Sequence, residues 1–328
     1  MNLAARSDEG ISVVVPVYNS QDSLHALVAR LASVLSSISA AHELIFVNDG
    51  SQDGSWSVIE KLSAEHSWVR GINLMRNYGQ HNALLCGVRA ARFSIIVTMD
   101  DDLQHPPEEI PVLLAKLDEG LDVVYGTPIE QKHGLLRDLA SLLTKVALRA
   151  AMGVEFADKV SAFRVFRTSL RRAFEAYRHP YVSLDVLLSW ATTRFGAVRV
   201  RHDPRAAGKS QYTFRKLTIH AFNMITGYST APLQFASLLG VLMAVFGFVV
   251  LAWVIGRVVL EGIVMPGFAF LASIVAIFSG AQLFTLGIIG EYLTRLHQRA
   301  LEKPTYVVLG EAEELPEGQM GRNDDGAV

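Results

Sequence analysis

Only one cysteine, Cys86, occurs in the 328 residues. No intramolecular disulfide can form, and a reducing compartment or the cytoplasmic face of a membrane fits. Cys86 itself reads as a small, buried, apolar residue on a helix. An excess of charge is also missing: 30 Lys and Arg against 32 Asp and Glu leave a formal net charge of -2, which argues against bulk nucleic-acid binding. Neither a Gly-x-Gly-x-x-Gly nor a Walker pattern is present, so an ordinary dinucleotide or ATP fold is disfavoured. Residues 1–10 lack the apolar core of a signal peptide and are expected to be a flexible leader. The histidines nearest the acidic motif described below, His81 and His105, show no metal-ligand spacing with another His, which disfavours zinc.

What the chain has in abundance is apolar residues, 50% of the total, with the excess after residue 230. Up to about Val124, short apolar runs alternate with amphipathic stretches. Ile11–Val17, Glu43–Val47, Val69–Leu74, Ser94–Met99 and Leu121–Tyr125 read as strands. Helices are expected near 21–38, 53–66, 79–92 and 107–119, with Ser20 or Asp22 capping the first and Asp53 the second. Such alternation implies an α/β fold of Rossmann-like type, a mostly parallel sheet covered on both faces. Ligands bind at the carboxyl ends of the strands in these sheets. Pro16-Val17-Tyr18-Asn19, Asn48-Asp49-Gly50-Ser51 and Asp100–Gln104 all fall at such ends. Their convergence points to a nucleotide site, in a domain expected over residues 11–212.

Asp100, Asp101 and Asp102 repel one another unless a cation sits among them. Capping the helix near Pro107 would need one Asp, not three. Hard oxygen ligands suit Mg²⁺ or Mn²⁺, held through Asp102 and Gln104 beside a nucleotide diphosphate. Asp49 would accept a hydrogen bond from a uracil imide, and Tyr18 would stack on a base; a plain turn and ordinary packing are the bland alternatives. Arg205 and Lys209, in the Gly-containing run Asp203–Tyr212 with Ser210 and Gln211, make a candidate phosphate clamp. Arg164 is a second phosphate candidate, its alternative being a surface Arg on a strand.

Two further stretches suggest a bilayer. Residues 133–152 and 212–228 mix Lys and Arg with Leu and Phe, as interfacial helices do, although 133–152 also reads as an ordinary domain helix. Leu233–Ile255 and Phe268–Ile289 are each long enough to span, giving a hairpin within 231–294. Small residues on both runs permit close packing of the pair, and permit packing between subunits. Arg215, Lys216, Arg295, Arg299 and Lys303 flank the pair, against Arg257 in the connection, which puts both ends and the catalytic domain in the cytoplasm. The expected order is therefore an interfacial helix over 213–230, the hairpin, a juxtamembrane segment over 295–310 and a disordered tail over 311–328.

In combination, the three strand-end motifs, Arg76-Asn77-Tyr78-Gly79-Gln80-His81 and Gly290-Glu291-Tyr292 resemble the GT-A glycosyltransferases of family 2. Within them the likeness is to the polyprenyl-phosphate glycosyltransferases, the bacterial group with two membrane spans. The resemblance implies that Asp49 contacts the base, Asp100 the ribose, and Asp102 with Gln104 the metal. Pro16, Tyr18, Asn19 and Asp101 would complete the nucleotide site, while Arg205 and the Gly208–Tyr212 loop would meet donor or lipid phosphate. The sequence departs from the group at Asn48, where relatives usually carry Asp although Asn also occurs, at Ala162, where some carry Asp, and at Gln211, where many carry Lys.

The resulting expectation is an inverting transfer of one sugar from a UDP-sugar to undecaprenyl or another polyprenyl phosphate at a bacterial inner membrane. Asp100, Asp102 and Arg205 would carry the catalysis. A processive polysaccharide synthase would need a third span and a Gln-x-x-Arg-Trp pattern, and the chain has neither. A catalytically silent membrane scaffold of the same fold would be expected to lose the metal-ligand carboxylates, yet Asp100 and Asp102 are both here.

Overall fold

The computed structural model describes residues 9–128, 159–203, 230–261 and 267–313. The stretches 133–152 and 212–228, and with them Arg205, Lys209, Ser210 and Gln211, lie outside the described residues. The chain divides into two units: Met1–Leu139 with Met152–Thr213 and Lys303–Val328, and Ala140–Ala151 with Phe214–Glu302.

In the first unit, β1 (Ile11–Val17) is buried at every position, as expected of a strand covered on both faces. It pairs in parallel with β2 (His42–Asn48) and β4 (Ile95–Thr98), and β2 pairs in parallel with β3 (Val69–Leu74). Between them run α1 (Leu24–Ile38), α2 (Ser55–Glu65) and α3 (Gln80–Ala90). A short 3₁₀ turn, Pro107–Glu109, leads into α4 (Ile110–Leu117), then come β5 (Val123–Pro128), β6 (Arg164–Arg167), α5 (Leu184–Ala191) and β7 (Phe195–Val200). With β8 (Val308–Ala312) the described sheet has the order β7-β5-β6-β4-β1-β2-β3-β8. Only β6 and β8 run against the rest. The expected mostly parallel α/β sheet is thus present.

Alternate residues of β1 serve two layers. Val13, Val15 and Val17 join Leu27, Leu31, Phe46 and Leu113 in one core. Val14 faces α3, which comes close because position 87 is glycine: a Cβ there would stand 2.3 Å from a Val14 methyl. Cys86, on the same helix, is buried, and burial pushes its thiol up to about 12, so it is an inert packing group.

Some boundaries differ from the sequence expectation for local reasons. Leu121 closes the turn after α4, its N–H donating to Leu117 O at 3.2 Å, so β5 begins at Val123. α1 begins at Leu24 behind Ser23, not Ser20 or Asp22, because the N–H groups of Ser20 and Gln21 are tied to Ser55, the first residue of α2, and to Asp53 in the loop before it. Asp53 stands one residue before the cap of α2, although its carboxylate still accepts the Ser55 N–H at 3.0 Å. The disordered tail expected from 311 and the juxtamembrane segment before it give way at 308–312. There β8 pairs antiparallel with β3, covering an edge whose backbone groups would otherwise lie unpaired.

The second unit contains α6 (Ala231–Glu261) and α7 (Phe268–Ala300). Contacts Phe235–Phe284 and Phe246–Phe278, each with ring centroids 6.5 Å apart, run in opposite chain directions, so the helices pack antiparallel. Ala231–Arg257 has mean hydropathy 2.8 over its most apolar window, none of it buried, and is long and apolar enough to cross a membrane. It is the one such helix among the described residues.

Candidate active site

The sheet order reverses beside β1: the chain passes from β1 to β2 and β3 on one side, then returns to place β4 on the other. A crevice opens at such a switch point, outside the carboxyl ends of the strands. Here a cleft of ≈ 270 Å³ occupies it, lined by Pro16, Tyr18, Asp49 and Asp100–Asp102, with Asn77, Gly79 and Gln80 from the segment after β3.

The loops carrying these residues brace one another. Asn19, at φ 54, accepts the Gln52 N–H on Oδ1 at 2.8 Å, and its own N–H donates to Ser51 Oγ at 3.0 Å. Gln21 Oε1 accepts the Gly54 N–H at 2.8 Å. The β1 and β2 loops are thereby stitched together, leaving Tyr18 exposed at the rim of the cleft. Asn19 therefore shapes the site through backbone contacts.

Asp49 is buried, and its two carboxylate oxygens accept the N–H groups of Tyr78 at 2.7 Å and Gly79 at 2.8 Å. Burial raises its pKa above the ordinary value, opposed by these two donors and by Arg76. Asp100 Oδ1 accepts from Gln80 Nε2 at 2.6 Å. Burial pushes Asp101 up to about 6, with Ser20 hydrogen bonding against the shift and Asp102 adding to it. Asp102 Oδ1 accepts the Gln104 N–H at 3.1 Å across Leu103, which sits at φ 61. A left-handed residue there turns the chain sharply after the triplet.

The carboxylates expected at the site do meet in one cleft. Gln104 is not among the lining residues; its carbonyl accepts the Asp203 N–H at 2.9 Å. Arg164 requires a correction. It is buried on β6, with its guanidinium paired to Asp185, which also accepts from Tyr125 Oη at 3.0 Å. That partner takes the charge expected to meet a phosphate, and the alternative of a surface Arg fails as well. His105 is buried against Phe163, ring centroids 5.4 Å apart, and burial with His202 nearby pushes it down to about 4. It is a neutral packing group at physiological pH.

The comparisons with known proteins agree with this geometry. The family described as glycosyl transferase family 2 matches residues 12–176. The undecaprenyl-phosphate 4-deoxy-4-formamido-L-arabinose transferase of Shewanella sediminis is 35% identical over 309 residues, 92% of this chain and 93% of its own. The protein of the same name from Salmonella choleraesuis is 34% identical, over 91% and 92% of the two chains. This chain belongs to glycosyltransferase family 2. Glucosyl-3-phosphoglycerate synthase from Mycobacterium tuberculosis, in a crystal structure with Mn²⁺, UDP and glucosyl-3-phosphoglycerate, shares the fold, with TM-score 0.50 and 20% identity over 68% of this chain and 80% of that one.

The protein is therefore a glycosyltransferase, and its cleft has the chemistry to match. Among the described residues no three His, Cys, Asp or Glu side chains form a cage for a metal ion. Asp100 and Asp102 both line the cleft, and carboxylate oxygens are the ligand type that suits a hard cation able to complete its shell with substrate phosphates. The sequence reading gave no role to Asn77, Gly79 and Gln80. Their signal was a fourth strand end, that of β3, followed by a glycine (φ 100) at the start of a helix.

Proposed function

We propose that this glycosyltransferase moves a sugar from a UDP-sugar to the phosphate of a long-chain polyprenol, of the undecaprenyl type, at the cytoplasmic face of a bacterial plasma membrane. The observation carrying this reading is the meeting of Tyr18, Asp49 and Asp100–Asp102 in one cleft, in a chain matched over 92% of its length by a relative named for undecaprenyl-phosphate transfer.

In the proposed reaction an acceptor phosphate oxygen attacks the anomeric carbon opposite the diphosphate. The new carbon–oxygen bond forms as the bond to the diphosphate breaks, its electron pair leaves with UDP, and configuration inverts. A phosphate monoester with a second pKa of about 6 is already largely ionised at neutral pH, so no strong general base is needed. The residues must hold acceptor oxygen, anomeric carbon and leaving oxygen in line. Tyr18 offers a ring to the base, Asp49 an acceptor to its imide, and Asp100 a carboxylate to the ribose. Asp102, with Gln104 and the adjacent carboxylates, would hold Mg²⁺ or Mn²⁺, whose chemistry when bound is to neutralise the departing diphosphate. Arg205 and the Lys209-Ser210-Gln211 segment add phosphate contacts.

α6 and α7 serve as two membrane crossings, of 31 and 33 residues, with Arg295, Arg299 and Lys303 on the cytoplasmic side. The test incubates the full chain in native membranes with undecaprenyl phosphate, Mg²⁺ or Mn²⁺ and a panel of radiolabelled UDP- and GDP-sugars, UDP-4-deoxy-4-formamido-L-arabinose among them. Lipid-extractable label is expected with at least one UDP-sugar. Label with none of them would return the chain to the silent-scaffold reading.

A further inference from the structure

The donor cleft is strongly acidic. Four carboxylates line it, those of Asp49, Asp100, Asp101 and Asp102, and no Lys or Arg is among the lining residues described. An acceptor phosphate approaching that wall is repelled unless cations flank its path. A second cavity, of ≈ 360 Å³, supplies them and has Asn77 in common with the cleft. Arg76 and Lys303 line it, with Tyr78, Asn82 and Pro304.

Both cations stand on anchored backbone. Gly50 packs against the Arg76–Asn77 peptide. The next N–H groups along, of Tyr78 and Gly79, are held by the Asp49 carboxylate. The Arg76 guanidinium lies 4.4 Å from the centroid of the Tyr78 ring, a cation–π contact that orients it while leaving the side chain exposed. Buried Asn82, on α3, donates from Nδ2 to Thr305 O at 2.9 Å and to Pro180 O at 3.0 Å. Those bonds hold the segment bearing exposed Lys303, three residues beyond the end of α7.

We propose that this cavity is the acceptor subsite, in which Arg76 and Lys303 grip the phosphate monoester of the polyprenyl chain and present it past Asn77 to the cleft. The inference rests on the polyprenyl-phosphate reading above. Its volume falls within the range of small-ligand pockets, about 300–1,000 Å³. A planar guanidinium and an ammonium lining one cavity suit a tetrahedral dianion, and the loop carrying Arg76 is the same loop that Asp49 fixes to the donor side.

The test measures binding to the full chain in uncharged detergent micelles, using farnesyl phosphate, farnesol, inorganic phosphate and, separately, UDP with Mg²⁺. Arg76→Ala and Lys303→Ala are each expected to weaken farnesyl phosphate about tenfold, the scale of a lost charge-assisted hydrogen bond. UDP affinity and the thermal midpoint should stay put, and Arg76→Lys should recover part of the loss. Unchanged farnesyl phosphate affinity in both alanine variants overturns the subsite while leaving the polyprenyl reading intact. Wild-type protein that binds UDP but no farnesyl phosphate overturns that reading and the subsite with it. Inorganic phosphate competing as well as farnesyl phosphate would mark a general anion site. A loss confined to micelles doped with phosphatidylglycerol would assign the cations to bilayer headgroups; either result overturns the proposal.

Discussion

Gly50 lies flat against the peptide joining Arg76 to Asn77: a Cβ on Gly50 would stand 2.5 Å from the Arg76 carbonyl carbon and 2.5 Å from the Asn77 nitrogen. Its φ of 65 lies in the left-handed region. Two loops from different strand ends thus meet where no side chain fits, and the adjacent Asp49 carboxylate fastens the contact. Gly50→Ala should cost about 1–2 kcal/mol from backbone strain alone, with the displaced loop adding to it. Chemical denaturation would measure the loss, and UDP affinity should fall with it. A variant as stable as wild type with normal UDP binding would show that the two loops need no such contact.

Asp102→Asn preserves shape and removes a charge from the lining of the cleft. Turnover should drop at least a hundredfold with the melting temperature unchanged, because the side chain is half-buried and its Oδ1 contact to the Gln104 N–H survives as an amide oxygen. Divalent-ion titrations of UDP binding supply a second readout, in which the ion's enhancement should vanish. Retention of most activity would remove the metal role from this residue.

Arg164 and Asp185 form a buried ion pair that Tyr125 completes. Removing one partner leaves an unpaired charge in the core, so Asp185→Ala should destabilise the protein by about 3–5 kcal/mol. Asp185→Asn, still able to accept from Tyr125 and Arg164, should cost less. Urea unfolding of the two variants tests the ordering, and equal losses would contradict it.

Acid sensitivity should trace in part to Asp122. Burial alone would raise its carboxyl, but Arg194, in a two-point contact at 2.7 and 2.9 Å, together with the Thr192 hydroxyl, holds it below the ordinary value of 3.8. A depressed folded value means that the contribution is complete above the unfolded value and fades as pH falls through the folded one. Asp122→Asn should therefore destabilise by about 1 kcal/mol or more at pH 7 and by less at pH 3. A pH-independent difference between the two proteins would refute this assignment.

Much of the sheet was legible because its strands are short, continuous apolar runs. Burial on both faces forces such runs, and β1 and β3 fall where the pattern ends them. β6 is only four residues long, and β8 lies beyond two long apolar helices, so neither had a local pattern to betray its partner. Arg164 illustrates the same limit at a single residue. An arginine on a strand reads as exposed unless the opposing carboxylate is known, and Asp185 is 21 residues away.

By itself the sequence determined the α/β class, the acidic triplet at a strand end and the apolar stretches, since periodicity and clustered charge are local properties. Only the tertiary structure decided that the end of β3 joins the cleft, that Asp49 clamps the neighbouring loop, and that 308–312 closes the sheet. Those depend on which strands become neighbours. Neighbours distant in sequence are chosen by packing and by the need to satisfy edge backbone groups, which no local pattern records.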